Sequence, residues 1–282
     1  MTRPQQPPPN HDRGLEYDLG TLHRRRFLGL FTAAGLAAVA GCSADDTTDA
    51  TTGSATSSPA PTTPSAGTPS AGTTDVDEIP QETAGPYPGD GSNGPNVLTE
   101  SGIVRKDITK SFGSASGEAT GVPLTVELTI LDADKDTPLE GAAVYLWHCD
   151  AEGRYSLYSD GATDENYLRG VQAADSTGKV TFTSIFPAAY MGRWPHIHFE
   201  VYSSLNEATA AGQITRTSQL ALPEDACTTV YATDGYDGSA ENLRQTSLED
   251  DNVFGDDDGV HQLATVTGDV STGFVARLTV GV

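Results

Sequence analysis

Cysteine is scarce in this chain: three in 282 residues, with no Cys-x-x-Cys pair. That excludes a thiolate cluster and a dense disulfide framework. Basic residues are few as well, 16 Lys and Arg against 39 Asp and Glu. Seven of the acidic and five of the basic residues precede residue 77. Residues 77–282 therefore keep 32 acidic and 11 basic groups, a net charge of −21. A domain of that sign repels nucleic acid and anionic lipid surfaces, so no nucleic-acid partner is expected and the ligand is not a polyanion. No long stretch has helical periodicity, there is no internal repeat, and no glycine-rich phosphate loop follows a strand. These gaps argue against helical bundles, repeat arrays and nucleotide-binding α/β folds.

What is present divides the chain into three. Residues 1–42 read as an address. Arg24 and Arg25 precede Phe27 and Leu28, in the manner of a twin-arginine export signal. The apolar run from Phe27 to Ala40 is too short for a transmembrane helix and has the length of a signal core. It ends in Val39-Ala40-Gly41-Cys42, which resembles a lipobox, so Cys42 is expected to carry the lipid anchor and to be the only membrane attachment. Residues 43–76 are Ser, Thr, Pro, Ala and Gly with almost no large apolar side chain. Such a segment cannot bury enough surface to offset ordering entropy and reads as a disordered linker. Residues 77–282 are long enough for one well-buried core. In an exported chain Cys149 and Cys227 form either a disulfide or two buried thiols, and the sequence leaves both open.

The third segment reads as all-β. In "LTVELTI", Leu124, Val126, Leu128 and Ile130 share one face, with Thr125, Glu127 and Thr129 on the other. "AAVYLWHCD", "KVTFTSIF", "HIHFEVY", "TSQLAL", "HQLATVTG" and "GFVARLTV" are also strand-like, with turn signals such as "DAEGRY" and "DSTGK" between them. An antiparallel β-sandwich of Greek-key type is expected, with helix confined to pieces near 205–210 and 238–243.

Two of the six histidines stand in "GRWPHIHFEVY". On a strand, His196 and His198 point to one face, about 7 Å apart, and can converge on one ion. Ile197, Phe199 and Val201 point to the other face and pack in the core. Spacing alone does not decide between a metal site and packing. The acidic run "LEDDNVFGDDDG" lacks calcium-loop spacing and reads as a solvated loop. Tyrosines are the remaining hard anionic donors: Tyr155 in "DAEGRYSLYS" and Tyr190 in "FPAAYMGRWPHIH".

Together "ETAGPYPGDG", "VYLWHCDAEGRYSLYS" and "YLRGVQAADSTGKVTFTSIFPAAYMGRWPHIHFEV" resemble the intradiol ring-cleavage dioxygenases, the family of protocatechuate 3,4-dioxygenase and catechol 1,2-dioxygenase. The resemblance covers roughly residues 80–230. It implies a non-haem Fe(III) ion held by Tyr155, Tyr190, His196 and His198, with Arg193 and Gln219 beside it in catalytic roles. Ferric iron is hard; two phenolates offset two of its three charges, and two imidazoles complete the set without adding charge. The resemblance further implies that a small aromatic diol is cleaved between its hydroxyl-bearing carbons by O2, giving a muconate-type dicarboxylate. Tyr190 would leave the metal to take a substrate proton, Arg193 would stabilise negative charge beside the ring, and Gln219 would position it. Each residue has a plain structural use when taken alone, and the joint order Tyr, Tyr, Arg, His, His carries the reading. His148 reads as structural, and Tyr87 as either a pocket-mouth residue or part of a proline-shaped turn. The short loop between Tyr190 and His196 implies an open pocket that tolerates substituted rings. The helical segment that pairs subunits in the catechol 1,2-dioxygenases has no counterpart, so the oligomeric state is left open. Two other readings stand beside this one. One is a non-catalytic iron- or catecholate-binding lipoprotein. The other is a zinc or copper enzyme using the histidines alone.

Overall fold

The computed structural model describes residues 76–282. The signal and lipobox (1–42) and all of the 43–76 linker except Val76 lie outside the described residues. Chain order is β1 (Pro123–Asp132), β2 (Thr137–Pro138), β3 (Ala143–Trp147), β4 (Arg169–Ala173), β5 (Lys179–Ile185), β6 (His196–Tyr202), α1 (Leu205–Thr209), β7 (Ile214–Ala221), α2 (Glu224–Tyr231), α3 (Ser239–Leu243), β8 (Thr265–Asp269) and β9 (Gly273–Gly281). One sheet runs β2-β1-β9-β8, with β5 also paired to β1; the other runs β4-β3-β6-β7. The all-β sandwich is as the alternation implied. One ladder departs from the antiparallel rule: β9 lies parallel to β1. Parallel neighbours need a long crossover, and everything between β1 and β9 serves as one.

The inner strands form because their apolar residues match a sheet face. Leu124, Val126, Leu128 and Ile130 of β1 are buried and meet Val144, Leu146, Ile197, Phe199 and Val201 across the sandwich. The second sheet is covered on its other face too, and all seven residues of β6 are buried. There Tyr145 and Trp147 of β3 join Val97, Leu98, Ile103 and Tyr155, brought in by loops, in a second apolar cluster. His196 and His198 lie in this second layer, where a polar atom without a partner is costly.

Three elements were not read from the sequence, one of them the two-residue β2, which lies in the turn stretch "DADKDTPLEG". α2 begins at Glu224, with Pro223 as its N-cap and Glu224 and Asp225 in its first turn, a helix-start pattern hidden inside "LPEDACTTVY". β4 carries Gly170, where a Cβ would stand 2.5 Å from Ile108 Cγ2, so the strand needs a residue that looks like a breaker. Of the two expected helices, α1 and α3 take the places anticipated for them. Cys149 and Cys227 are both free and buried, which removes the disulfide alternative, and burial pushes both thiols above their usual range.

Candidate metal centre

β6 sets the site by register. His198 is paired with Trp147 on one side and Gln219 on the other. The indole of Trp147 lies parallel to the His198 ring, 4.9 Å away and tilted by 5°, and leaves it little room to turn. On its remaining side His198 meets the segment before β1. Gly85 has φ +69°, and a Cβ there would come within 3.2 Å of His198 Cε1. Glycine both adopts that backbone and permits the approach.

The two tyrosines hang from one turn. Asp150, just past β3, accepts hydrogen bonds from the Glu152 and Arg154 amides (both 2.9 Å), from Arg154 Nε (2.9 Å) and from the Tyr167 hydroxyl (3.0 Å). That shapes the loop ending at Tyr155. The Asp150 carbonyl accepts from the Ala188 amide at 3.1 Å, which fixes the segment leading to Tyr190. Tyr155 is buried, with Tyr87 packed on it at 4.8 Å between ring centroids.

Four donor atoms converge as a result. His196 Nε2 lies 3.1 Å from His198 Nε2, 3.1 Å from the Tyr190 hydroxyl and 3.5 Å from the Tyr155 hydroxyl, and the two hydroxyls are 3.5 Å apart. Ligands each about 2.0–2.1 Å from a shared ion stand at such mutual distances. Protonation agrees. His196 Nδ1 is 2.5 Å from the Trp194 carbonyl. A carbonyl only accepts, so Nδ1 carries the proton and Nε2 turns a lone pair inward. Burial above all, and then neighbouring Arg193 for His196 and His196 itself for His198, hold both imidazoles neutral. Burial and then Tyr190 push the Tyr155 phenol well above its usual range, so it ionises only beside a cation. His198 Nδ1 is buried without a partner. Among the described residues no three His, Cys, Asp or Glu side chains gather in a metal-binding group, so a donor set here needs its two tyrosines. Glu200, on the same strand face, is engaged by the Tyr202 hydroxyl at 2.6 Å instead.

Arg193 and Gln219 join the same cluster. Arg193 Nη2 donates to Gln219 Oε1 at 2.7 Å, Nη1 points at His196 Nε2 at 3.5 Å, and Gln219 Nε2 donates to the Thr83 carbonyl at 2.9 Å. All six residues singled out in the sequence thus meet in one place. Asp251 was missed. Expected in a solvated run, it is fully buried against Arg193. Its signal was weak, since only the neighbouring apolar pair Val253 and Phe254 marks the turn as buried. Arg169 was missed too: it lies buried beneath Tyr87 and Pro88. His148, 1% exposed, donates from Nδ1 to the Cys149 carbonyl and accepts from Ser184 Oγ, both at 2.7 Å, and burial pushes its pKa down to about 4. It is a structural histidine, as anticipated. The short 191–195 loop leaves Met191 77% exposed. Cover for the site comes instead from residues 83–88, far away in the sequence.

Two phenols and two neutral imidazoles brought together on a β-sandwich make a donor set of oxygen and nitrogen, without thiolate, whose chemistry suits a hard metal ion. A family model described as Dioxygenase matches residues 93–233. The solved intradiol ring-cleavage dioxygenase of Tetranychus urticae superposes with a TM-score of 0.57 at 25% identity, over 73% of this chain and 94% of that one. The chlorocatechol 1,2-dioxygenase of Rhodococcus opacus is 37% identical over 54 residues, 19% of this chain and 21% of that enzyme. The match thus spans about a fifth of that curated relative. The chain belongs to the intradiol ring-cleavage dioxygenases.

Proposed function

We propose that the protein cleaves catechol-type diols with O2 between the two hydroxyl-bearing carbons, using a ferric ion held by Tyr155, Tyr190, His196 and His198. The observation that carries this reading is the convergence of those four donors, with both imidazoles held neutral. When bound, the ion would supply a Lewis acid that eases loss of the diol protons and makes the ring reactive toward O2.

The chain's own residues divide the remaining work. Tyr155 is enclosed by Tyr87 and His198 and stays in place. Tyr190 is only half-buried and sits on the loop with exposed Met191, which suits it better than Tyr155 to move aside and accept a substrate proton at its oxygen. Trp147 and the Trp194 carbonyl fix the two imidazole planes. Arg193 offers Nη1 beside the donors, where it stabilises negative charge developing on the ring. Gln219 holds the opposite end of the guanidinium.

The same reading places the enzyme outside the cytoplasm, anchored through a lipid on Cys42, as the sequence motifs before the linker suggest. Labelled fatty acid recovered on the wild-type chain but not on Cys42→Ser supports that location; equal labelling of both rejects it. For the chemistry, the iron-loaded chain is mixed with catechol under nitrogen and its visible spectrum followed, then air is admitted. A tyrosinate-to-iron band that shifts with catechol, followed by oxygen uptake, is expected. A band that shifts without any oxygen uptake means an iron- or catecholate-binding lipoprotein. A colourless chain with full iron occupancy means that the tyrosines are not ligands.

A further inference from the structure

The family match ends at residue 233. The loop from Ser247 to Gly255 lies beyond it, yet it reaches the site through Asp251. That carboxylate faces two ways. Oδ1 accepts from the Val253 amide (2.8 Å) and the Phe254 amide (3.2 Å), which locks the carboxylate to its own turn. Oδ2 accepts from Arg193 Nε (3.0 Å) and from the Trp194 amide (2.7 Å). The Asp251 side chain is 0% exposed and that of Arg193 5%. The Arg193 guanidinium also lies over the Phe254 ring, 6.0 Å from its centroid.

Arg193 is therefore gripped on two edges. Asp251 takes Nε and Gln219 takes Nη2. The third corner, Nη1, is the one left facing His196 Nε2 at 3.5 Å. A guanidinium is planar, so fixing two of its corners fixes the direction of the third. Gln219 alone would leave the plane free to pivot about a single contact. Asp251 also supplies the opposite charge that a buried arginine needs, and it does so at Nε rather than at Nη1.

We infer that Asp251 is a positioning residue for the ring-cleavage reaction: carried by a loop outside the family match, it aims Arg193 Nη1 at the substrate side of the metal pocket. The inference rests on the function proposed above. Asp251 does not touch substrate; it acts through Arg193. The competing explanation is structural, namely that Asp251 only holds its own turn and the Trp194 amide.

A double-mutant cycle on the full iron-loaded chain separates the two. Wild type, Asp251→Asn, Arg193→Gln and the double variant are compared in kcat, in anaerobic catechol affinity from the spectral shift, and in melting temperature. Asp251→Asn is expected to lower kcat about 10- to 100-fold, as loss of an orienting partner does. Catechol affinity should stay within about threefold, because the diol binds through the metal. In the Arg193→Gln background the same change should lower kcat by no more than about twofold, since the group it aims is gone. An equal loss of kcat in both backgrounds, or a lowered melting temperature with kcat intact, overturns the inference. Should Asp251→Asn not fold, Asp251→Glu takes its place in the cycle; it keeps the charge but displaces the carboxylate, and the same two outcomes decide. A wild-type chain that binds iron and catechol but shows no turnover defeats the proposed function itself, a failure distinct from either.

Discussion

Tyr155→Phe leaves a folded chain that no longer holds ferric iron and has lost ring cleavage by about three orders of magnitude or more. The size follows from the several kcal/mol of charge stabilisation that a Lewis acid supplies, at about 1.4 kcal/mol per tenfold in rate. Folding should survive, because the ring, not the hydroxyl, does the packing. Tyr87 stacks on the ring, and the hydroxyl's nearest polar neighbours, Tyr190 and His196, are each 3.5 Å away. Removing the oxygen from the apo chain relieves a buried polar atom whose ionisation burial opposes. Metal analysis per chain, oxygen uptake with catechol and a urea melt should therefore separate: iron and turnover fall, stability barely moves. If the variant keeps its metal and activity, the histidines alone hold the ion, as in a zinc or copper enzyme, and the phenolate site is wrong.

Arg169→Met is expected to destabilise the domain by about 3–5 kcal/mol, because it strips the donor from several buried acceptors at about 1–3 kcal/mol each. The guanidinium is fully buried, and its five contacts are all with neutral acceptors: Ser156 Oγ, the Ser156, Pro88 and Tyr87 carbonyls, and the Tyr145 hydroxyl, at 2.8 to 3.0 Å. Methionine matches the length but satisfies none of these, and three buried carbonyls lose a donor. Those carbonyls lie on the two segments that carry Tyr87 and close the Tyr155 loop, so iron retention should weaken along with stability. Lysine cannot rescue the site, because one ammonium cannot serve acceptors spread around a fork. Urea midpoints at unchanged slope measure the loss. A shift below about 1 kcal/mol would mean that water replaces the arginine without penalty, and the account of this network fails.

The contrast between the ligands and their supports shows what the chain makes legible. His196 and His198 stand out because strand periodicity puts them on one face of an otherwise apolar run, a purely local pattern. β1 and β9 were readable on the same ground. Tyr155, Tyr190, Arg193 and Gln219 became meaningful only through their order, which the family resemblance supplied. Asp251 and Arg169 had neither signal. One sits in a run of acidic residues that looks solvated until a distant arginine is laid on it, and the other has no carboxylate to pair with. Their roles come from contacts between segments 58 and 82 residues apart, and no period or spacing encodes those. β4 was obscured for a similar reason, since its glycine answers to the side chain of Ile108 rather than to its own neighbours.

The stretch that covers His198 begins beside the end of the chain. Glu78 pairs with Gly281, and the Ile79 amide donates to the Gly281 carbonyl at 3.0 Å. The domain is thus closed by residues 78 and 79 against Gly281, a pairing across about 200 residues. During synthesis the residues around Gly85 emerge early but lack this anchor until Gly281 has left the ribosome. Residues 83–88 have earlier holds as well, Arg169 on the Tyr87 and Pro88 carbonyls and Gln219 on the Thr83 carbonyl, so the cover over the four donors can settle on β4 and β7 before β9 closes the domain.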